Sequence, residues 1–202
     1  MIAAVVLAAG ASSRMGQQKL LLPYGGSTVI AHIVDQLLDS AVDHVSVVCG
    51  NRGVEVAGAL TGRDVRIVWN HAWHEGMLSS VRRGLETAPA EIEHFLIALG
   101  DQPSISAALV DRLIQYYLGA AHGVAVPVHG GRRGHPLIFN ARYAVEVRSN
   151  FDDEGLRGLL RRHSREVVEM TTEDAGVLDD MDYPEDYRRA VAALERRSAP
   201  GC

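Results

Sequence analysis

Residues 1–19 read Met1-Ile2-Ala3-Ala4-Val5-Val6-Leu7-Ala8-Ala9-Gly10-Ala11-Ser12-Ser13-Arg14-Met15-Gly16-Gln17-Gln18-Lys19. The apolar run Ala3–Leu7 has strand length and passes directly into a loop of small residues that carries two cations. A strand apolar at every position, not at alternate ones, is covered on both faces, as in a parallel sheet flanked by helices. Small residues let backbone N–H groups approach an anion and surround it, and Arg14 and Lys19 add positive charge. The spacing is not that of a P-loop, because the glycines are misplaced and no Ser or Thr follows Lys19. Nor is it the G-x-G-x-x-G dinucleotide fingerprint. A solvated Gly/Ser turn is the bland alternative. Ligands of open parallel sheets bind beyond the carboxyl ends of the strands, and the loop's place after strand one favours phosphate binding.

Working outward, the runs His44–Cys49, Val65–Trp69, His94–Leu99 and Val124–Val128 read as further strands, with short ones near Pro136–Phe139 and Val167–Met170. Helical periodicity fills Thr28–Leu38, Gly53–Leu60, Met77–Thr87, Ala107–Leu118 and Glu185–Leu194. Ile30, Ile33, Val34, Leu37 and Leu38 fall on one buried face. Ser27 is read as the cap of that helix and Ser106 as the cap of the one from Ala107. The alternation predicts a single three-layer α/β domain with a mostly parallel sheet. The domain spans 1–195, and 196–202 are read as a frayed tail. The stretch His129–Gly134 reads as an exposed hairpin or lid.

A formal net charge of −5 argues against a nucleic-acid coat or an anionic membrane as partner. The two cysteines, Cys49 and Cys202, make no disulfide framework or zinc cluster and suit a reducing, cytoplasmic setting. The opening apolar run is too short to span a bilayer and lacks a basic lead-in, so a buried strand is expected there.

Four other segments carry chemistry. Asp101, in Gly100-Asp101-Gln102-Pro103, follows an apolar strand; a carboxylate there can hold Mg²⁺ beside substrate phosphates or simply make an Asx turn. Asp179, Asp180 and Asp182 precede Pro184-Glu185-Asp186 and read either as acidic helix-start charge or as ligands. In Asn70–Ser80, His71 and His74 lack the H-E-x-x-H order and a third metal ligand, while Ser79 or Ser80 fits a helix N-cap. His135, in Gly134-His135-Pro136-Leu137-Ile138-Phe139, can hydrogen-bond a phosphate when neutral or pair with it as a cation. The same segment also reads as a turn into an edge strand.

The string Leu7-Ala8-Ala9-Gly10-x-Ser12-Ser13-Arg14-Met15-Gly16-x-x-Lys19-Leu20-Leu21-Leu22-Pro23 resembles the signature of the molybdopterin nucleotidyltransferase family, within the nucleotide-diphospho-sugar transferase superfamily. The resemblance continues along nearly the whole chain and implies a Rossmann-like fold. It implies that Leu7, Ala8, Ala9, Gly10, Ser12, Ser13, Gly16 and Lys19 bind the triphosphate of CTP or GTP, with Arg14, Lys19 and Asp101 catalytic. Gly100-Asp101-Gln102-Pro103 is similar to the family's metal element, and the acidic run is similar to its D-x-D-x-P-E-D ending. Mg²⁺ or Mn²⁺ would then sit on Asp101 and Asp182, with Asp180 the second choice. Asn70, Gly76, Ser79, Ser80 and Gly100 would complete the nucleotide site. His135, with Asp153 and Arg157 of Phe151-Asp152-Asp153-Glu154-Gly155-Leu156-Arg157, would bind the acceptor, although Asp152 stands where that segment often has Gly.

The reaction so implied is in-line transfer of CMP, or of GMP, to the terminal phosphate of molybdenum-bound molybdopterin, with release of pyrophosphate and a client molybdoenzyme downstream. Ala9 favours CTP, since the guanylyl branch carries Gly there. Lys19, read as a solvated loop residue, is expected to matter far more for rate than for stability. Two rivals stand: transfer to a sugar phosphate or other phosphorylated acceptor, and a non-catalytic carrier of the molybdenum cofactor.

Overall fold

The computed structural model describes residues 1–120 and 122–198. Along the chain come β1 (Ile2–Ala8), the short strands β2 (Pro23–Tyr24) and β3 (Ser27–Thr28), α1 (Val29–Leu38), β4 (His44–Cys49), α2 (Gly53–Gly58), β5 (Arg66–Trp69) and α3 (Met77–Thr87). There follow β6 (His94–Leu99), α4 (Ala107–Ala120), β7 (Val124–His129), β8 (Arg132–Arg133), β9 (Leu137–Asn140), α5 (Ala144–Ser149), α6 (Leu156–Arg162), β10 (Val167–Thr171) and α7 (Pro184–Ser198). The last helix runs through the first residues of the expected tail to Ser198, and 199–202 lie outside the described residues.

The main sheet has the order β10-β7-β9-β6-β1-β4-β5, with β8 beside β7. β1 pairs in parallel with β4 and β6, β4 with β5, and β10 with β7. Only β9 and the short β8 run against their neighbours. The domain is thus the expected three-layer α/β fold with a mostly parallel, mixed sheet. The strand that follows Pro136 is not an edge strand: β9 lies between β6 and β7, because Leu137, Ile138 and Phe139 are buried on both faces.

Side chains of β1 alternate between the two cores. Ala4, Val6 and Ala8 join the residues of α1 and α4 on one face, while Ala3 and Val5 join those of α3 on the other. Burial of each such valine stabilises by about 1.5–3 kcal/mol relative to exposure. Capping is only partly as expected. Thr28, not Ser27, accepts the Ala31 amide at 3.3 Å, because Ser27 is held in a β2–β3 hairpin whose Gly25-Gly26 turn has φ of 57° and 82°. Ser106 Oγ accepts the Leu109 amide at 3.3 Å. Among the described residues no helix is long and apolar enough to cross a membrane.

Because the core strands are parallel, the segments after β1, β4, β5 and β6 all emerge at one end of the sheet. The helix that follows β5 packs very closely: a Cβ on Gly84 of α3 would stand 2.3 Å from Val5 Cγ1. Gly84→Ala gains about 1 kcal/mol of helix propensity but overpacks a filled core, at about 1–3 kcal/mol. The expected net result is a lower melting temperature, at ~2–4 °C per kcal/mol for a domain of this size. A thermal melt that stays level or rises contradicts the close approach.

Candidate active site

The loop after β1 is stapled by polar groups of its own. Ser12 adopts the left-handed region, φ 52°, and its Oγ donates to Gln18 Oε1 at 2.5 Å while accepting the Lys19 amide at 3.3 Å. Gln18, 4% exposed, donates from Nε2 to the carbonyls of Gly10 and Asn51. Its role was not legible in the sequence, where a polar loop residue reads as solvated. Gly16 turns the chain at φ 68°, returning Lys19 towards the sheet.

Lys19 does not point into solvent. Its side chain is 13% exposed, and Nζ lies 2.5 Å from Asp101 Oδ2 and 3.0 Å from Asp182 Oδ1. Arg14 Nη1 closes the cluster at 2.6 Å from Asp182 Oδ2. Burial pulls the Lys19 pKa down, but Asp101 and then Asp182 more than offset it, so the ammonium is held above its ordinary value. The Asp182 carboxyl is held below its ordinary value by its bond from Lys19, against some desolvation.

Asp101 and Asp182 meet because residues 172–182 cross over the carboxyl ends of the strands. This strap is pinned where Thr172 donates to the Val128 carbonyl, where His135 donates to the Val177 carbonyl at 2.9 Å, and where Met181 donates to the Asp101 carbonyl at 3.1 Å. Asp180 is turned away from Lys19 and accepts Gln102 Nε2 at 2.5 Å. Burial, with Asp101 and Asp182 nearby, raises its pKa.

A cleft of about 400 Å³ lies over the cluster. Of the residues expected to bind nucleotide, Leu7, Ala9, Gly10, Ser12, Lys19, Gly76 and Ser80 line it, with Arg14, Asp101 and Asp182. Trp73, His74 and Met77 of the same segment, not among the residues expected to bind nucleotide, line it as well. Ala8, Gly16, Asn70, Ser79 and Gly100 do not. Ala8 is in the core, and Gly100 abuts the Leu7 carbonyl, where a Cβ would stand 2.8 Å away. Asn70 is buried and donates from Nδ2 to both Ser79 Oγ (2.9 Å) and Ser80 Oγ (3.0 Å), so it braces the turn before α3. The helix begins at Met77, so neither serine is its N-cap. The Ser13 side chain lies outside the described residues. His71 and His74 join no metal cluster, and among the described residues no group of three His, Cys, Asp or Glu does.

A second cavity, of about 580 Å³, has Val126, Leu137 and Leu160 as apolar wall and His135, Arg133, Arg157 and Arg161 around it. The structure therefore brings His135 and Arg157 together, while Asp153 is exposed outside this cavity. Asp152 pairs with Arg82 at 2.7 Å. Burial lowers the His135 pKa, with Asp101 opposing and Arg157 reinforcing, so the imidazole at this second cavity is neutral near pH 7.

The model of the MobA-like NTP transferase domain matches residues 4–167. The chain belongs to that family. Membership makes it an enzyme of the nucleotidyltransferase type. The chain is 33% identical to nicotine blue oxidoreductase of Paenarthrobacter nicotinovorans over 197 residues, covering 94% of this chain and 96% of that one. It is 26% identical to the molybdenum cofactor cytidylyltransferase of Escherichia coli K12 over 193 residues, 95% of each. Among solved structures, Rv0371C of Mycobacterium tuberculosis H37Rv in complex with manganese superposes with a TM-score of 0.79 at 28% identity, covering 95% of this chain and 98% of that one.

The position of Lys19 revises one expectation: its removal bears on stability as well as on rate, since it leaves Asp101 and Asp182 facing each other. Lys19→Met is expected to cost about 1–3 kcal/mol at pH 7, between the values for exposed and for fully buried pairs. Asp182, with its folded pKa below the unfolded one, contributes stability above the unfolded value that is lost as pH falls through the folded value. The gap between wild type and variant should therefore narrow towards pH 3. Urea unfolding at pH 7 and pH 3 checks this, and a gap that widens in acid contradicts it.

Proposed function

We propose that this family member transfers a CMP moiety from CTP to the terminal phosphate of molybdenum-bound molybdopterin. The observation that carries the proposal is the Lys19–Asp101–Asp182 cluster at the mouth of the cleft beneath the β1 loop. Backbone N–H groups of Ala9–Ser12 and the Arg14 guanidinium hold the triphosphate. Lys19 moves its charge to the α-phosphate as the acceptor oxygen attacks. The new bond joins that oxygen to the α-phosphorus, the bond to the β-phosphate oxygen breaks, and pyrophosphate leaves. No protein nucleophile takes part, so catalysis rests on positioning and charge stabilisation.

Asp101 and Asp182 fit a Mg²⁺ or Mn²⁺ ion, because the two carboxylates already converge on one small cation, the Lys19 ammonium. Two acids and no third ligand suit a hard divalent ion that takes its remaining ligands from phosphate and water. Such an ion would supply charge neutralisation at the reacting phosphates. The acceptor lies in the second cavity, its phosphate towards His135 and Arg157. A neutral His135 acts there as a hydrogen-bond partner, and Arg157 as a planar two-pronged donor. The apolar wall suits a flat ring system.

The test presents CTP, GTP, ATP and UTP with molybdenum cofactor and Mg²⁺ or Mn²⁺, and measures pyrophosphate. CTP with cofactor should release pyrophosphate, and Lys19→Met should lower kcat about 10²–10³-fold, as for loss of one preorganised charge-stabilising group. Release with a sugar phosphate and not with the cofactor would move the acceptor assignment. Binding of CTP without release under any condition would make the chain a carrier.

A further inference from the structure

Among the described residues one buried side-chain polar atom has no hydrogen-bond partner, Gln102 Oε1. The side chain is 1% exposed, and burying a carbonyl without a partner opposes folding. Were the amide not needed, an apolar side chain of the same shape would fill the position without an unmet carbonyl. What the glutamine does have is a single strong contact: Nε2 donates to Asp180 Oδ1 at 2.5 Å. One residue away along both segments, Met181 N donates to the Asp101 carbonyl at 3.1 Å. The two bonds make adjacent rungs between the β6 loop and the strap. Asp101 is next in sequence to Gln102, and Asp182 is next to Met181.

We propose that Gln102 and Asp180 are positioning residues that set the separation of Asp101 and Asp182, acting on the divalent cation through those two carboxylates. The inference rests on the reading of Asp101 and Asp182 as cation ligands, and assigns Asp180 a place outside the ligand set. The main-chain rung and the Lys19 ammonium already join the two segments; the side-chain rung adds a direct tie between them that does not pass through Lys19. Gln102 carries its unmet carbonyl for this bond.

The experiment measures Mn²⁺ binding by electron paramagnetic resonance, with CTP or GTP present, for wild type, Gln102→Met, Asp180→Asn and Asp180→Ala, alongside a thermal melt of each. Loss of a direct outer partner of a metal ligand weakens metal binding about 10–100-fold; Gln102 and Asp180 act one residue further out, so the lower end, about tenfold, is expected for Gln102→Met and Asp180→Ala. Gln102→Met loses the bond to Asp180 and sheds the unmet carbonyl, opposing effects that should leave it folded with a melt close to wild type. Asp180→Asn keeps an oxygen that accepts from Gln102 and should stay within about twofold of wild type, since it retains the positioning bond and no ligand bond is at stake. Unchanged Mn²⁺ affinity in Gln102→Met overturns the proposal. So does an Asp180→Asn loss equal to that of Asp180→Ala, which would make Asp180 a direct ligand. If Gln102→Met fails to fold, the two Asp180 variants decide. Wild type that binds no Mn²⁺ with either nucleotide overturns the cation reading itself and this inference with it, a result distinct from the other two.

Discussion

One ammonium group held between two carboxylates from distant parts of the chain is the constraint on which the site depends. Lys19 reaches its place because the β1 loop is closed by Ser12 and Gln18 and turned by Gly16. Asp101 reaches its place because β6 ends there, and Asp182 because the strap crosses the end of the sheet. At 2.5 and 3.0 Å the contacts are those of charge-assisted hydrogen bonds. Separating the three groups leaves either an underpaired cation or two like charges in a partly buried pocket. The cluster therefore couples loop, strand end and strap into one unit.

That coupling bears on function. A cation that enters between Asp101 and Asp182 competes with Lys19 for the same oxygens. A triphosphate in the cleft offers Lys19 an alternative anionic partner and offers the entering ion phosphate oxygens. On the proposed function, each ligand would weaken the contact that obstructs the other, and the two would bind with positive linkage. The Lys19 side chain, 13% exposed, is held at the cleft without being open to bulk water.

The fold was largely legible. Strand runs such as His44–Cys49 and His94–Leu99 match the strands residue for residue, because fully apolar stretches admit few alternatives. The alternation of apolar runs and helical periods placed the β1 loop at the ligand-binding end. Local chemistry was less legible. The Gly25-Gly26 hairpin displaced the helix cap by one residue, and α5 and α6 lay in charged segments of weak period. Residues 134–139 also read as a turn into an edge strand, because Gly and Pro look the same before an interior strand. Hardest to see were buried polar residues in loops: Gln18 and Gln102 carry no pattern that separates them from solvated glutamines, and nothing in the sequence shows that Asn70 braces two serines. Tertiary crossing of the strap decides these roles, and periodicity does not record it.

The proposed chemistry moves a nucleotidyl group onto a phosphorylated acceptor in this cleft. Its most direct test uses CTP radiolabelled either at the α-phosphate or at the γ-phosphate, incubated with the molybdenum cofactor and Mg²⁺. The account requires the α-label to appear in the cofactor product and the γ-label to appear in pyrophosphate. Retention of both labels in CTP, or transfer of the γ-label, would contradict it.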